Sequence, residues 1–368
     1  MIRIERRLTQ PRWLMFAVPI GSVVFAFVVM TVVLLLTHHS PLHTFRLLVV
    51  NAFGSSAALN ASFVAATPLI FTGLCVAVAF RMQLFNIGGE GQLYMGAVTG
   101  AAAGIALGNH SGWLSVPAMI LAGAVGGAAL ALIPGFLRAY LHTNEIITSL
   151  MLNYVAALVL TYLIFDSESY WRDTSSATAK VFPQGKNLPP AANWPTTSIG
   201  SLVLPFGLLV GIAAAVGVWF LYSRARFGFR VHVIGDSPRA AGYAGMRTRR
   251  MILAVMALSG AMAGIGGASQ DGDFRHTLDP RGLTAAGYGY TGIVVAALGR
   301  YNPFAVVVIA FLLGGLQNAG YALQGADFPS GLVGVLQGLI LFCVLGGEIL
   351  IRHRIRIQLK RPSAEVVA

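Results

Sequence analysis

The chain has 368 residues, 56% hydrophobic and only 10% charged, with a mean hydropathy of +0.73 and a formal net charge of +12. A soluble domain carries roughly 25% charged residues, so this composition suits lipid and excludes a water-soluble or nucleic-acid-binding reading of the positive charge. Its two cysteines, Cys75 and Cys343, lie inside apolar runs and define neither a disulfide framework nor a metal site.

Arg3, Arg6, Arg7 and Arg12 precede an apolar run from Trp13 to Thr37. The run is about twice a signal h-region and no small-x-small cleavage site follows, so it reads as an uncleaved first span. At about 20 apolar residues per crossing, spans are predicted at 13–37, 59–80, 91–108, 113–137, 146–165, 199–222, 251–269, 284–299, 303–323 and 331–347. The fold class is therefore an all-α integral membrane protein with about ten transmembrane helices. The glycine-rich segments 91–108 and 284–299 are the ones that could be broken or re-entrant. With the N-terminus inside, 19 of the 25 Lys and Arg fall in cytoplasmic segments and six outside, which places both termini inside.

The segments 59–165 and 251–350 each hold four predicted spans. Each has a polar, glycine-rich break after its first span, at 84–92 and at 269–292. The first half starts outside and the second inside. That is the pattern of inverted-topology repeats, in which interrupted segments at matching positions point to the translocation path.

The first break reads "LFNIGGEGQLYMG". Gly88, Gly89 and Gly91 free the backbone, and Asn86, Glu90 and Gln92 supply polar groups that are costly against lipid. Either this element lines a path within the membrane, or Glu90 caps a helix at the cytoplasmic edge beside Arg81. In "TNEIITSLMLNYVA", Thr143 or Asn144 can cap a helix starting at Glu145. Asn153 within that helix, like Gln317, Asn318 and Gln337 further on, is either an interhelical hydrogen-bonding group or a ligand contact. The outside loop 166–198 carries Tyr170, Trp171 and Trp194, either as interfacial anchors or as a docking surface for a soluble partner. In the basic loop 223–250, Ser237 and Pro238 start a short helix that Gly245 can end. This small-residue turn is a candidate docking element for a partner, against the plainer reading of a positive loop.

No enzymatic constellation is present. The chain has no G-x-x-x-x-G-K-[ST], no H-E-x-x-H and no paired carboxylates, so no ATP site of the first kind and no metal site are expected. An ion-coupled transporter working alone is the competing class. Against it, few carboxylates are expected to be membrane-embedded: Glu90, Glu145 and Glu348, each near a span end.

"FNIGGEGQLYMGA" (85–97), "TNEIITSLMLNYVA" (143–156) and "GDSPRAAGYAGM" (235–246) together resemble the permease subunits of bacterial ABC importers in the branched-chain amino acid and simple-sugar permease family. The first two are most similar to its nucleoside-uptake branch. "GYTGIVVAALGRYNP" (289–303) is similar too, and the resemblance runs from about residue 60 to 350. It implies a core related to the vitamin B12-type importers, with 199–222 as a linking span, 223–250 as a cytoplasmic coupling loop and 351–368 as a cytoplasmic tail of one domain spanning 1–368. It also implies three partners in the bacterial inner membrane system: an ATP-binding subunit that hydrolyses ATP, a second related permease chain, and a periplasmic or lipid-anchored solute-binding protein. The implied cargo is a nucleoside or related sugar-containing solute, with a ribose-type sugar as the alternative, and no cofactor. The expected substrate path passes Phe85, Asn86, Gly88, Gly89, Glu90, Gln92, Asn153, Tyr288, Gln317 and Asn318. The expected coupling surface is Gly235, Asp236, Pro238, Ala240, Ala241, Tyr243 and Gly245.

Overall fold

The computed structural model describes residues 2–6, 13–108, 110–324 and 331–357. The chain begins with β1 (Ile2–Arg6), α1 (Leu14–Leu36), α2 (Pro41–Phe53), α3 (Ser56–Phe80), α4 (Gly89–Ala106), α5 (Gly112–Leu141), α6 (Glu145–Thr161) and α7 (Ala177–Val181). It continues through β2 (Thr196–Ile199), β3 (Leu202–Pro205), α8 (Phe206–Ser223), α9 (Arg226–Asp236), α10 (Pro238–Tyr243) and α11 (Thr248–Ser269). It ends with α12 (Pro280–Ala286), α13 (Tyr288–Leu298), α14 (Pro303–Ala322), α15 (Leu332–Arg352) and β4 (His353–Ile357). α6 and α11 each run on into a π turn, Tyr162–Asp166 and Gln270–Arg275.

Seven helices among the described residues are long and apolar enough to cross a bilayer: Ala17–Leu36, Ser56–Phe80, Gly112–Leu141, Glu145–Asp166, Phe206–Ser223, Thr248–Arg275 and Pro303–Ala322. Of the three other expected spans, 91–108 is the continuous helix α4, and 331–347 lies in α15 with a shorter apolar part, Leu332–Val344. The expected span 284–299 is not one helix. Gly287, at φ +59°, ends α12 and divides it from α13, a conformation that glycine adopts without steric cost. α2, which the hydropathy reading left out, is helical.

Two compact units are present, Met1–Thr44 with Gly331–Ala368, and Phe45–Ser330. In the first, α1 packs against α15, and Ser22 Oγ donates to the Cys343 carbonyl at 3.0 Å. β1 and β4 pair antiparallel, Ile2 opposite Ile357 and Arg6 opposite His353. Both strands alternate isoleucine with charged residues, a two-residue period that specifies a strand. Of the expected cytoplasmic tail, 358–368 lies outside the described residues.

In the second unit α3 is central. Every residue from Ala66 to Ala79 is buried, as befits a helix apolar all round, and it packs against α14, α11, α13 and α8. α11 packs against both α5 and α4. Gly123 and Gly127 on α5 face Gly260 and Gly264 on α11. A Cβ on Gly264 would collide with the Gly123 carbonyl, and one on Gly127 with that of Gly260. Two G-x-x-x-G pairs thus bring two backbones into direct contact. Large apolar side chains on the outer faces, such as Trp113, Leu121 and Val125 of α5 and Met151 and Leu158 of α6, are exposed. On a water-soluble chain this would be an aggregation surface; on a chain with seven candidate spans such a face suits lipid.

Candidate functional site

Residues 84–88 leave helix for an extended stretch that has no strand partner. Irregular backbone in a membrane protein needs its polar groups satisfied by other protein groups, and one face of α6 does this. Glu145, Ser149 and Asn153 recur every fourth residue, so they line up along that face. The Phe85 N–H donates to Glu145 Oε1 (3.4 Å) and the Ile87 N–H to Ser149 Oγ (3.3 Å). Asn153 Nδ2 donates to the Ile87 carbonyl (3.0 Å), and Asn153 Oδ1 accepts from the Gly91 N–H (2.9 Å). Asn144 caps α6 by accepting from the Ile146 N–H at 2.9 Å, and Glu145 pairs with Arg138 Nε at 3.3 Å. Within the break, Asn86 and Gln92 exchange amide hydrogen bonds of 2.9 Å, and Asn86 Nδ2 also donates to Ser259 Oγ at 2.8 Å.

Glu90 lies in the first turn of α4 and is 2% exposed. Its carboxylate serves a second helix as well as its own. Oε1 accepts from the Tyr94 hydroxyl at 2.6 Å, while Oε2 accepts from the Gly289 N–H and, at 3.3 Å, from the Tyr290 N–H. Those amides belong to the first turn of α13, whose donors have no partner within their own helix. Gly287, the residue ahead of α13, contributes no side-chain cap. Glu90 therefore caps α13 from across the fold. The approach requires glycine, because a Cβ on Gly289 would collide with the Glu90 backbone. Two helix N-termini, each carrying about half a positive charge, converge on one carboxylate.

The second break is held in the same manner. Gln317 Nε2 donates to the Ala286 carbonyl (2.6 Å) and Thr72 Oγ1 to the Tyr288 carbonyl (3.0 Å), on either side of Gly287. The ends of α13 also set a distance along the break. Arg81, at the end of α3, donates to the Tyr301 carbonyl just beyond the far end of α13 (3.2 Å), whereas Glu90 meets its near end. An 11-residue helix is about 16 Å long at 1.5 Å per residue. The two ends of the 81–90 segment therefore meet opposite ends of α13.

Of the residues expected on a path, Asn86, Gly88, Gly89, Glu90, Gln92, Asn153 and Tyr288 gather where the two breaks meet, all buried. Gln317 stands at the second break, its Oε1 unpartnered among the described residues. Phe85 is partly exposed and packs edge-on against Phe80, 4.9 Å between ring centroids. Asn318 is elsewhere, donating to the Asn51 carbonyl of α2 at 3.3 Å. Ser149, Ser259, Thr72 and Tyr94 belong to the site without having been singled out. Glu145, Ser149 and Asn153 at i, i+4 and i+8 were the available signal for the first of these.

The basic loop folds as α9 and α10. Ser237 Oγ caps α10 through the Ala240 N–H (3.3 Å), and Gly245 ends it at φ +71°. Ala241 faces inward, into a core with Met82, Leu84, Val231, Ile234, Val255 and Met256. Gly235 packs against the backbone of Arg81 and Met82. The outer face of the turn is Asp236, Pro238, Ala240, Gly242 and Tyr243, with Tyr243 95% exposed. In the 166–198 loop the tryptophans turn toward protein. Trp171 Nε1 donates to the Val98 carbonyl (2.8 Å), and Trp194 is buried, its backbone N–H on the Gly272 carbonyl (2.9 Å) and its indole Nε1 without a partner among the described residues.

A chain with seven candidate spans and two broken helices meeting head to head has the construction of a membrane permease. Residues 58–345 match the branched-chain amino acid transport system permease component family, and the chain belongs to that family. A glucose ABC transporter permease protein of Haloferax volcanii is 33% identical over 100% of this chain and 97% of its own length. The guanosine ABC transporter permease protein NupP of Bacillus subtilis is 31% identical, covering 89% of this chain and 92% of its own. The nucleoside ABC transporter permease protein NupB of Lactococcus lactis subsp. cremoris is 28% identical, covering 89% and 90%. No solved structure matches the chain.

Proposed function

We propose that the chain is the permease subunit of an ATP-driven importer that carries a nucleoside or related sugar-containing solute inward across the bacterial plasma membrane. The observation that carries this reading is the family match over 58–345, joined to two relatives named for nucleoside and guanosine transport. The full-length relative named for glucose transport favours a simple sugar as the second reading. The permease spans the membrane ten times in two inverted halves around a core like that of the vitamin B12-type importers, as one domain over 1–368. Pairing of β1 with β4 supports termini on one side of the membrane, and the arginine distribution supports the cytoplasmic side.

In this reading ATP is hydrolysed by a separate subunit that seats on the outer face of α10. A second related permease chain completes the pathway, and a solute-binding protein delivers cargo from outside. The junction of the two breaks sits near the bilayer midplane, where such folds place their cargo. Asn86, Glu90, Gln92, Asn153, Tyr288 and Gln317 shape the path there by holding the two half-helices. The test is reconstitution of the four components in proteoliposomes with tritiated guanosine and tritiated D-glucose. ATP-dependent uptake of either supports the assignment, with the imported solute deciding between the readings; ATP-independent, ion-gradient-driven uptake by this chain alone overturns it.

A further inference from the structure

A cavity of about 480 Å³ lies where the 166–198 loop meets the segment between the π turn of α11 and α12. That volume falls within the range of small-molecule sites, about 300–1,000 Å³. It is well removed in sequence from the break at 84–92, and although part of its wall belongs to the second break at 269–292, none of the residues assigned to the path lines it. The loop is fixed there by backbone. Asn187 bridges to Thr277, and the Leu188 N–H donates to the His276 carbonyl at 2.7 Å.

Its walls include Phe165, Gln184, Asn187, Arg275, Asp279 and Arg281. Arg275 Nη1 is paired with Asp279 Oδ2 at 2.5 Å, which cancels one charge and leaves Arg275 Nε without a partner among the described residues. Thr277 Oγ1, also on the wall, is likewise unpartnered. The Arg281 guanidinium lies over the Phe165 ring, 5.0 Å from its centroid. The lining therefore offers guanidinium donors, side-chain amides that both donate and accept, a carboxylate acceptor, and flat apolar surface from Phe165, Phe274 and two prolines. Hydroxyl groups need both donors and acceptors, whereas an anion would meet Asp279 and a cation would meet Arg281.

We propose that this cavity is an outer reception site for a neutral ring solute bearing several hydroxyl groups, a free sugar or the ribose of a nucleoside. The proposal rests on the importer reading and on the 166–198 loop facing outward. The Gln184 and Asn187 amides, the Arg281 guanidinium and the Asp279 carboxylate bond ring hydroxyls, and Asn187 and Arg281 close the rim over the solute.

The test is equilibrium binding of tritiated guanosine and tritiated D-glucose to the full chain in lipid nanodiscs, for wild type, Arg281→Ala, Asn187→Ala and Thr277→Val. Ile199→Ala, on the exposed β2, is the control. Binding of one probe to wild type, weakened tenfold or more by Arg281→Ala and Asn187→Ala but unchanged by the control, is the expected result. Displacement of bound guanosine by unlabelled ribose would assign the sugar ring, and displacement by guanosine alone would assign the whole nucleoside; both support the site. In the assembled importer the same variants raise KM by a similar factor with kcat retained. Equal affinity in every variant, or no binding of either probe to wild type, overturns the proposal. Importers that take up solute with unchanged KM in these variants overturn the cavity and leave the permease assignment standing. Loss of binding-protein capture with solute affinity unchanged makes the cavity a protein-docking surface and likewise overturns it.

Discussion

Glu90 and Gly289, 199 residues apart, share a hydrogen bond in which a carboxylate from the first turn of one broken helix caps the first turn of the other. The two halves of the chain are thus joined at their interruptions.

Removing that carboxylate should separate two effects. Glu90→Ala leaves the buried Gly289 amide unpaired, at a cost of about 1–3 kcal/mol, and removes the acceptor of the part-buried Tyr290 amide, so it should lower the melting temperature of the purified permease. Glu90→Gln keeps an acceptor but removes the charge that faces two helix dipoles. Losing a charged hydrogen bond of about 1.5–3 kcal/mol corresponds to roughly ten- to a hundredfold, so uptake should fall by that factor while capture of the ATP-binding subunit persists. Wild-type uptake by Glu90→Gln would show that the charge at the junction is dispensable.

The α5–α11 seam should tolerate no side chain. Gly264→Val places atoms against the Gly123 carbonyl, and its cost should exceed the roughly 1–3 kcal/mol of ordinary overpacking. Fluorescence-detected size exclusion should show little monodisperse protein. Gly217→Ala, whose Cβ would meet nothing within 4 Å, should be neutral or stabilising by up to about 1 kcal/mol. Equal yields from the two variants would contradict the backbone contact.

At α10 the inner and outer faces should respond differently. Tyr243→Ala and Gly242→Arg alter only the exposed face, and should abolish co-purification of the ATP-binding subunit while the permease elutes normally. Ala241→Trp would force an indole into the core beside Met82 and Ile234 and should reduce folded protein. Retained capture in both outer-face variants would move the coupling surface elsewhere.

Sidedness can be read by labelling. With Cys343 replaced by Ser and Cys75 buried, a cysteine at Ser175 should react with an impermeant maleimide added outside intact cells. One at Arg239 should react only after permeabilisation. The opposite pattern would invert the orientation.

Most helices, and the existence of both breaks, were legible because hydrophobic runs and glycine clusters are local properties. The Ser237 cap and the Gly245 stop of α10 were legible for the same reason. The expectation that Trp171 and Trp194 serve as membrane anchors or partner contacts gave way because composition does not say which way an indole turns. Ala241 faced inward for a like reason: in a six-residue helix of small side chains, periodicity is too short to mark a face. The partner of Glu90 was hidden by sequence distance, since nothing local distinguishes capping its own helix from capping another. α2 and the β1–β4 pair were missed because a search for 20-residue apolar runs passes over a half-polar helix and a two-residue alternation.

The close approach at Gly289 has a consequence for descent. Two segments far apart in a chain are free to diverge as long as each retains its own packing. Here the size allowed at position 289 is set by the backbone at position 90, and the Gly289 and Tyr290 donors that Gly287 leaves uncapped are answered by Glu90. The two interruptions are bound to a shared history: a change at either survives only if its counterpart already accommodates it. Positions 89, 90, 287 and 289 should therefore vary together among related chains, as a quartet rather than as two independent pairs.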